Sequence, residues 1–173
     1  MRIGSWAGVT AVLALLFGGV ISAHEECRQF QLPANIQLLH DIELAIHSIY
    51  DRSPSFREQC ARIAAADNLR VTVQINPSIP GRCRAFTRVK RHGQKIRAEI
   101  HLPPSSDHAE LLAHEFEHVL EQIEGLDLQR LARAKDSGVY QLDYAVFETE
   151  RAQEAGRAVA AQARRWSRAR AAD

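Results

Sequence analysis

Cysteine is scarce in this chain, and its few copies are poorly placed for holding a metal. Cys27, Cys60 and Cys83 are the three that occur. No two of them have the spacing of a zinc knuckle, and none neighbours the histidine pair on which the reading below turns. An odd number allows at most one intramolecular disulfide with one thiol left over. A structural bridge is the expected use, its pairing left open. Net charge is also lacking: 22 Lys and Arg stand against 21 Asp and Glu, a formal balance of +1. That argues against a protein directed as a whole to nucleic acid or to a membrane surface. Internal repeats are missing, and bias is confined to an Ala/Arg-rich C-terminal end. With 173 residues there is room for one domain with a real core, and no second lobe is evident.

Long apolar runs are absent but for one, from Trp6 to Ile21. Arg2 precedes it, and Ser22-Ala23 and the charged His24-Glu25-Glu26 follow, the layout of a secretory signal cut after Ala23. Residues 1–23 are therefore expected to be a signal peptide and 24–173 a single domain, secreted or periplasmic and without stable membrane insertion. The alternative is an uncleaved anchor through residues 6–22, since the run approaches the shortest length that spans a bilayer.

Periodicity lays out the rest. Ile36, Leu39, Ile42, Ile46 and Ile49 predict an amphipathic helix to about Tyr50, with His40 and His47 facing solvent. Ser53 as cap and Pro54 in the first turn open a second helix, whose apolar stripe is Phe56, Cys60 and Ile63. Val71–Ile75 alternates as a strand, and Ala85–Lys90 with Lys95–Leu102 flanks His92-Gly93-Gln94 as a β-hairpin. In its second arm Ile96, Ala98, Ile100 and Leu102 alternate with Lys95, Arg97, Glu99 and His101, so one face is buried and the other wet. Asp107 with Glu110 makes a capping-box-like start to a helix that Gly125 ends. Leu128–Ala134 adds a turn or two, and from about Leu142 a long helix is expected to run nearly to the C-terminus. Its arginines, Arg157, Arg164, Arg165, Arg168 and Arg170, form a solvated basic face, with Trp166 packed back on the domain.

The helix over Asp107–Glu124 carries His114-Glu115-Phe116-Glu117-His118. At roughly 100° per residue, positions four apart share a face, so both imidazoles can address one metal ion. Leu112, Phe116, Val119 and Ile123 gather on the opposite side, with Leu120 at their edge. Two imidazoles leave the other tetrahedral positions of Zn²⁺ to a third protein ligand and a water. Glu115 and Glu117 lie about equally far off the histidine face on opposite flanks. Either could reach such a water as a general base, and helix geometry alone does not choose.

His-Glu-x-x-His resembles the signature of the zincin metallopeptidases, in which the base directly follows the first histidine. The resemblance implies Glu115 as general base. Glu117 departs from strict forms of the signature, which prefer an uncharged residue there. In the glutamate-ligand branch, the gluzincins, a second helix downstream supplies the third ligand. Phe147-Glu148-Thr149-Glu150 stands there, thirty residues after His118, and offers two candidates. On a helix these point about 200° apart, so one alone can face the metal. Glu148 precedes small residues at Ala152 and Ala155, as close packing on a neighbour requires; Glu150 has Glu154 one turn on. The run Phe147–Arg157 resembles a recurring segment of small secreted bacterial metallopeptidases, which implies Glu148 as ligand. Glu121 could support His118 from behind.

The similarity extends from Lys95 through Gly156, about half of the expected mature chain. It implies an α+β, zincin-like fold with a small mixed or antiparallel sheet, an active-site helix and a long C-terminal helix bearing the third ligand. The implied centre is one Zn²⁺ held by His114, His118 and Glu148, and the implied activity is hydrolysis of peptide bonds through a metal-activated water. Lys95–Leu102 would be the sheet edge along which an extended peptide lies. Candidates to help the oxyanion are Tyr140, Tyr144, His101 and His108. A different class is kept beside it: a non-catalytic, zinc-stabilised binding protein that retains the zincin helix.

Overall fold

A computed structural model describes residues 32–39, 42–79, 83–104 and 108–170. The expected signal segment, Cys27, His40 and the capping role of Asp107 lie outside these residues. Alternation on the central strands sets the architecture. Leu69, Val71 and Val73 of β2 (Leu69–Ile75) pair with Ile96, Ala98 and Ile100 of β4 (Lys95–Leu102) and present one apolar face. The sheet order is β1-β2-β4-β3, with β1 (Ile36–Leu39), β2 and β4 parallel and β3 (Phe86–His92) antiparallel to β4. Helices α1 (Glu43–Arg52), α2 (Pro54–Ala64) and α3 (His108–Ile123) share one core with that apolar face, and Phe56 stacks on Phe116 at 5.4 Å between ring centroids. A short α4 (Leu128–Leu131), a two-stranded sheet of β5 (Val139–Asp143) and β6 (Val146–Thr149), and α5 (Glu150–Arg170) complete the order. The class is α+β with a small mixed sheet, as expected. No helix among the described residues is long and apolar enough to cross a membrane.

The helix expected from Ile36 begins only at Glu43. Ile36–Leu39 is instead a strand, because its backbone is taken up in parallel pairing with Val71–Gln74. Asn35 fixes the entry, donating to the Ile63 and Ala66 carbonyls at the end of α2. The second helix forms as read, with the Phe56 N–H donating to Ser53 Oγ at 3.1 Å and Phe56, Cys60 and Ile63 buried. The hairpin also forms, its strands meeting at His92 and Lys95. Lys95–Leu102 is not the sheet edge, however. It is paired on both sides, and β3 takes the edge.

A second correction falls near the C-terminus. Val139–Thr149 is a hairpin, turning at Tyr144-Ala145 with Ala145 at φ +69°, so the long helix starts at Glu150 rather than Leu142. Val, Tyr and Phe favour that strand pair, and the Ala-rich composition begins only after it. Glu148 therefore sits on a strand. No bridge joins the two described cysteines. Cys60 and Cys83 are both free, and burial pushes the Cys60 thiol up to about 12, an inert core residue. Trp166 does pack back, with the Arg52 guanidinium 4.9 Å from its ring centroid.

Candidate metal centre

Helix α3 is closed off more fully than a two-sided helix. Leu112, Phe116, Val119 and Leu120 face the core as the periodicity predicts, yet Ala113, Glu115, Glu117 and Glu121 are buried too. The cause is that α3 is flanked on both sides, by α5 and α2 at Glu117 and by β3 at Glu115. Gly156 makes the approach of α5 possible: a Cβ there would stand 2.8 Å from the Glu110 carbonyl oxygen and 3.3 Å from His114 Cβ. At its C-terminus α3 is closed by Gly125 at φ +71°, with the Leu126 N–H returning to the Glu121 carbonyl.

His114 and His118 project one turn apart, their rings edge-on with centroids 4.8 Å apart. Strand β6 delivers Glu148 to the same point. Its Oε1 lies 3.4 Å from His114 Nε2 and 3.7 Å from His118 Nε2. One donor atom from each of the three residues falls within 4.8 Å of the others. A tetrahedral zinc ion with bonds of about 2.0–2.2 Å keeps its ligand atoms roughly 3.4 Å apart, so the two carboxylate–imidazole spacings suit one ion. All three side chains are partly open, between 14% and 23% exposed. A fourth position would therefore face solvent.

Around them runs a set of orienting bonds. His118 Nδ1 lies 2.9 Å from Glu121 Oε2; facing a carboxylate it carries the proton, which leaves Nε2 free toward Glu148. Burial by itself pulls the His118 pKa down, but the Glu121 hydrogen bond and the charges of Glu115, Glu121 and Glu148 outweigh it, and the net direction is up. Glu148 behaves oppositely. Burial pushes its carboxyl up, and the histidines and the Thr149 N–H outweigh that, holding it below the usual range.

Glu115 turns to the β3 side of α3. It is 3% exposed, and Thr87 Oγ1 donates to its Oε2 at 2.6 Å. Burial drives its pKa up, and the Thr87 bond and the two histidines offset only part of that. Glu117, on the other flank, is fixed in structure: Arg151 Nε donates to Oε1 at 2.6 Å and Gln59 Nε2 to Oε2 at 2.8 Å. The charge at the variable position of the signature thus has a partner of its own, away from the histidines. Glu150 is likewise engaged elsewhere, accepting from the Tyr140 hydroxyl at 2.5 Å.

None of the four oxyanion candidates joins this cluster. Tyr140 is committed to Glu150, and Tyr144 is 90% exposed at the hairpin turn. His101 stacks on Phe86 and contacts Gln74 and Asn76, a position β4 alternation puts on the face away from the core. His108 pairs with the Pro103 carbonyl.

Sequence reasoning did not single out Thr87, Thr149 or Gly156 as parts of a site. Thr87 could have been found, since on β3 it is a polar residue between the inward-facing Ala85 and Val89. Thr149 could not be, because a helix was expected where its strand lies.

If the three donors hold a divalent ion, alanine at Glu148 should abolish its uptake and alanine at Glu150 should leave it, read as metal content of the purified proteins. Uptake should also weaken on acidification. The proton on His118 is held above its ordinary 6.5, so competition begins at a higher pH than for a free imidazole and intensifies as the pH falls. A zinc affinity flat from pH 8 to 5.5 would contradict this.

No protein family's profile matches this chain, and no curated protein or solved structure matches it either.

Proposed function

We propose that this chain is an exported, zinc-dependent metallopeptidase with a zincin-like fold of the gluzincin kind. One observation carries the reading: two imidazoles and a carboxylate converge within reach of one ion, beside a buried glutamate that is not among those donors. His114, His118 and Glu148 hold the metal. When bound, zinc supplies Lewis acidity, lowering the pKa of a water and polarising a peptide carbonyl. Glu115 takes the proton from the attacking water and gives it to the leaving amine, and Thr87 keeps its carboxylate aimed. A carboxyl group whose pKa is raised by burial is a better match to that task near neutrality than an exposed one.

Substrate is an extended peptide added beside β3, the outer strand that carries Thr87 to the site, through main-chain hydrogen bonds. Neither nucleic acid nor a lipid bilayer is a partner in this reading. Export rests on the leader pattern of residues 1–23.

The test is digestion of casein and a peptide library by purified protein, with chelator and with zinc restored. Cleavage that chelator stops and zinc restores supports the proposal. A zinc-loaded, folded protein that cleaves nothing supports a zinc-stabilised binding protein instead.

A further inference from the structure

We infer that Thr149, whose hydroxyl is taken up by Glu121 and the Ala152 N–H, is the positioning residue of the candidate zinc centre and sets two of its three ligands at once. The inference rests on the metal-centre reading above and adds a role which that reading does not contain.

Three bonds meet at this residue, and a fourth continues from one of them. Its backbone N–H donates to Glu148 Oε1 at 2.8 Å, the same oxygen that faces both histidines. Its hydroxyl donates to Glu121 Oε1 at 2.6 Å, and the other oxygen of Glu121 takes the His118 Nδ1 proton at 2.9 Å. The same hydroxyl accepts the Ala152 N–H at 3.0 Å and so caps the first turn of α5. Thr149 is 2% exposed and Glu121 1%, so water does not compete for these bonds.

The chemistry gives each bond a consequence. Glu121 is a buried carboxylate with two oxygens, one for His118 and one for Thr149. Without the hydroxyl, the second oxygen loses its donor in a dry site, and the carboxylate is free to rotate off Nδ1. His118 then loses the partner that fixes both its tautomer and its ring plane. The link also runs through the fold. Thr149 is the last residue of β6 and stands at the start of α5, so the strand that carries Glu148 and the helix packed on α3 are locked in register with His118.

The test compares zinc affinity, by competition with a chromophoric chelator, in the wild type and in Thr149→Val, Thr149→Ser and Ser53→Ala. Thr149→Val is expected to weaken binding by about 10- to 100-fold, as loss of an orienting partner does in other zinc sites. Thr149→Ser keeps the hydroxyl and should stay near wild type. Ser53→Ala removes a different helix cap, that of α2, together with its 2.5 Å bond to Gln162 on α5, and controls for stability lost outside the bonds of Thr149. Should valine not fold, Thr149→Ala repeats the measurement without a second γ-methyl. A wild type that takes up no zinc overturns the metal centre itself. A wild type that binds zinc while Thr149→Val binds as tightly, or while Ser53→Ala is weakened as much, overturns the role of Thr149 alone.

Discussion

Glutamine in place of Glu115 is expected to end peptide cleavage while leaving zinc content intact. The two readouts part because Glu115 is not one of the three converging donors; it lies beside them, held by Thr87 at 2.6 Å. A positioned general base contributes about 10²- to 10⁴-fold, or roughly 3–5 kcal/mol of barrier, and an amide cannot accept the proton. Glutamine keeps the shape of the side chain and an acceptor for the Thr87 hydroxyl, so the pocket need not rearrange. The same change has a signed effect on the metal-free fold. Burial raises the folded-state pKa of Glu115 above its ordinary 4.5, so the folded chain holds that proton more tightly than the unfolded chain does. Stability is then lost as pH rises from about 4.5 through the raised folded value, and a neutral glutamine is spared that loss. The metal-free variant should accordingly unfold at a higher temperature than wild type at pH 7, and the difference should shrink below pH 4.5. A variant that still digests casein at wild-type rate would remove Glu115 from the mechanism.

Much of this site was legible because its central part is local. His114 and His118 are brought together by helical period alone, and Leu112, Phe116 and Val119 fixed which way the helix turns. The third carboxylate was legible only in part. Glu148 does converge with the histidines, but it arrives on β6, so the opposition of Glu148 and Glu150 across a helix does not apply. What separates them is the hydrogen bond from Tyr140, which ties Glu150 away from the histidines. The choice between Glu115 and Glu117 has a similar character. Helix geometry is symmetric about the histidines, and the symmetry is broken by partners more than thirty positions from Glu117 at Arg151 and more than fifty at Gln59. The misread stretches share one cause. Ile36–Leu39 and Val139–Thr149 are short strands whose pairing partners decide their state, and neither has enough length for period 2 to outweigh a helical reading. The edge strand was misassigned for a related reason: which arm of a hairpin lies outermost depends on where β2 pairs.

Alanine in place of Gly156 should lower both stability and zinc affinity, against what helix propensity predicts. In an exposed helix interior, glycine to alanine stabilises by about 1 kcal/mol. Here the added methyl would stand 2.8 Å from the Glu110 carbonyl oxygen, a backbone atom of α3 that cannot swing aside, and 3.3 Å from His114 Cβ. Overpacking of this kind typically costs about 1–3 kcal/mol, enough to reverse the propensity gain. Relief requires α5 to back away from α3. Glu148 and Thr149 lead directly into α5, and Thr149 caps its first turn, so a displaced helix draws both from the histidines. Thermal unfolding of the metal-free protein therefore separates close packing from propensity by sign, with a lower midpoint expected for Gly156→Ala. Zinc titration then asks whether the helix contact sets the ligand geometry. A variant that melts higher than wild type and binds zinc as tightly would mean α5 has slack against α3, and that the position of Glu148 does not depend on how closely the two helices meet.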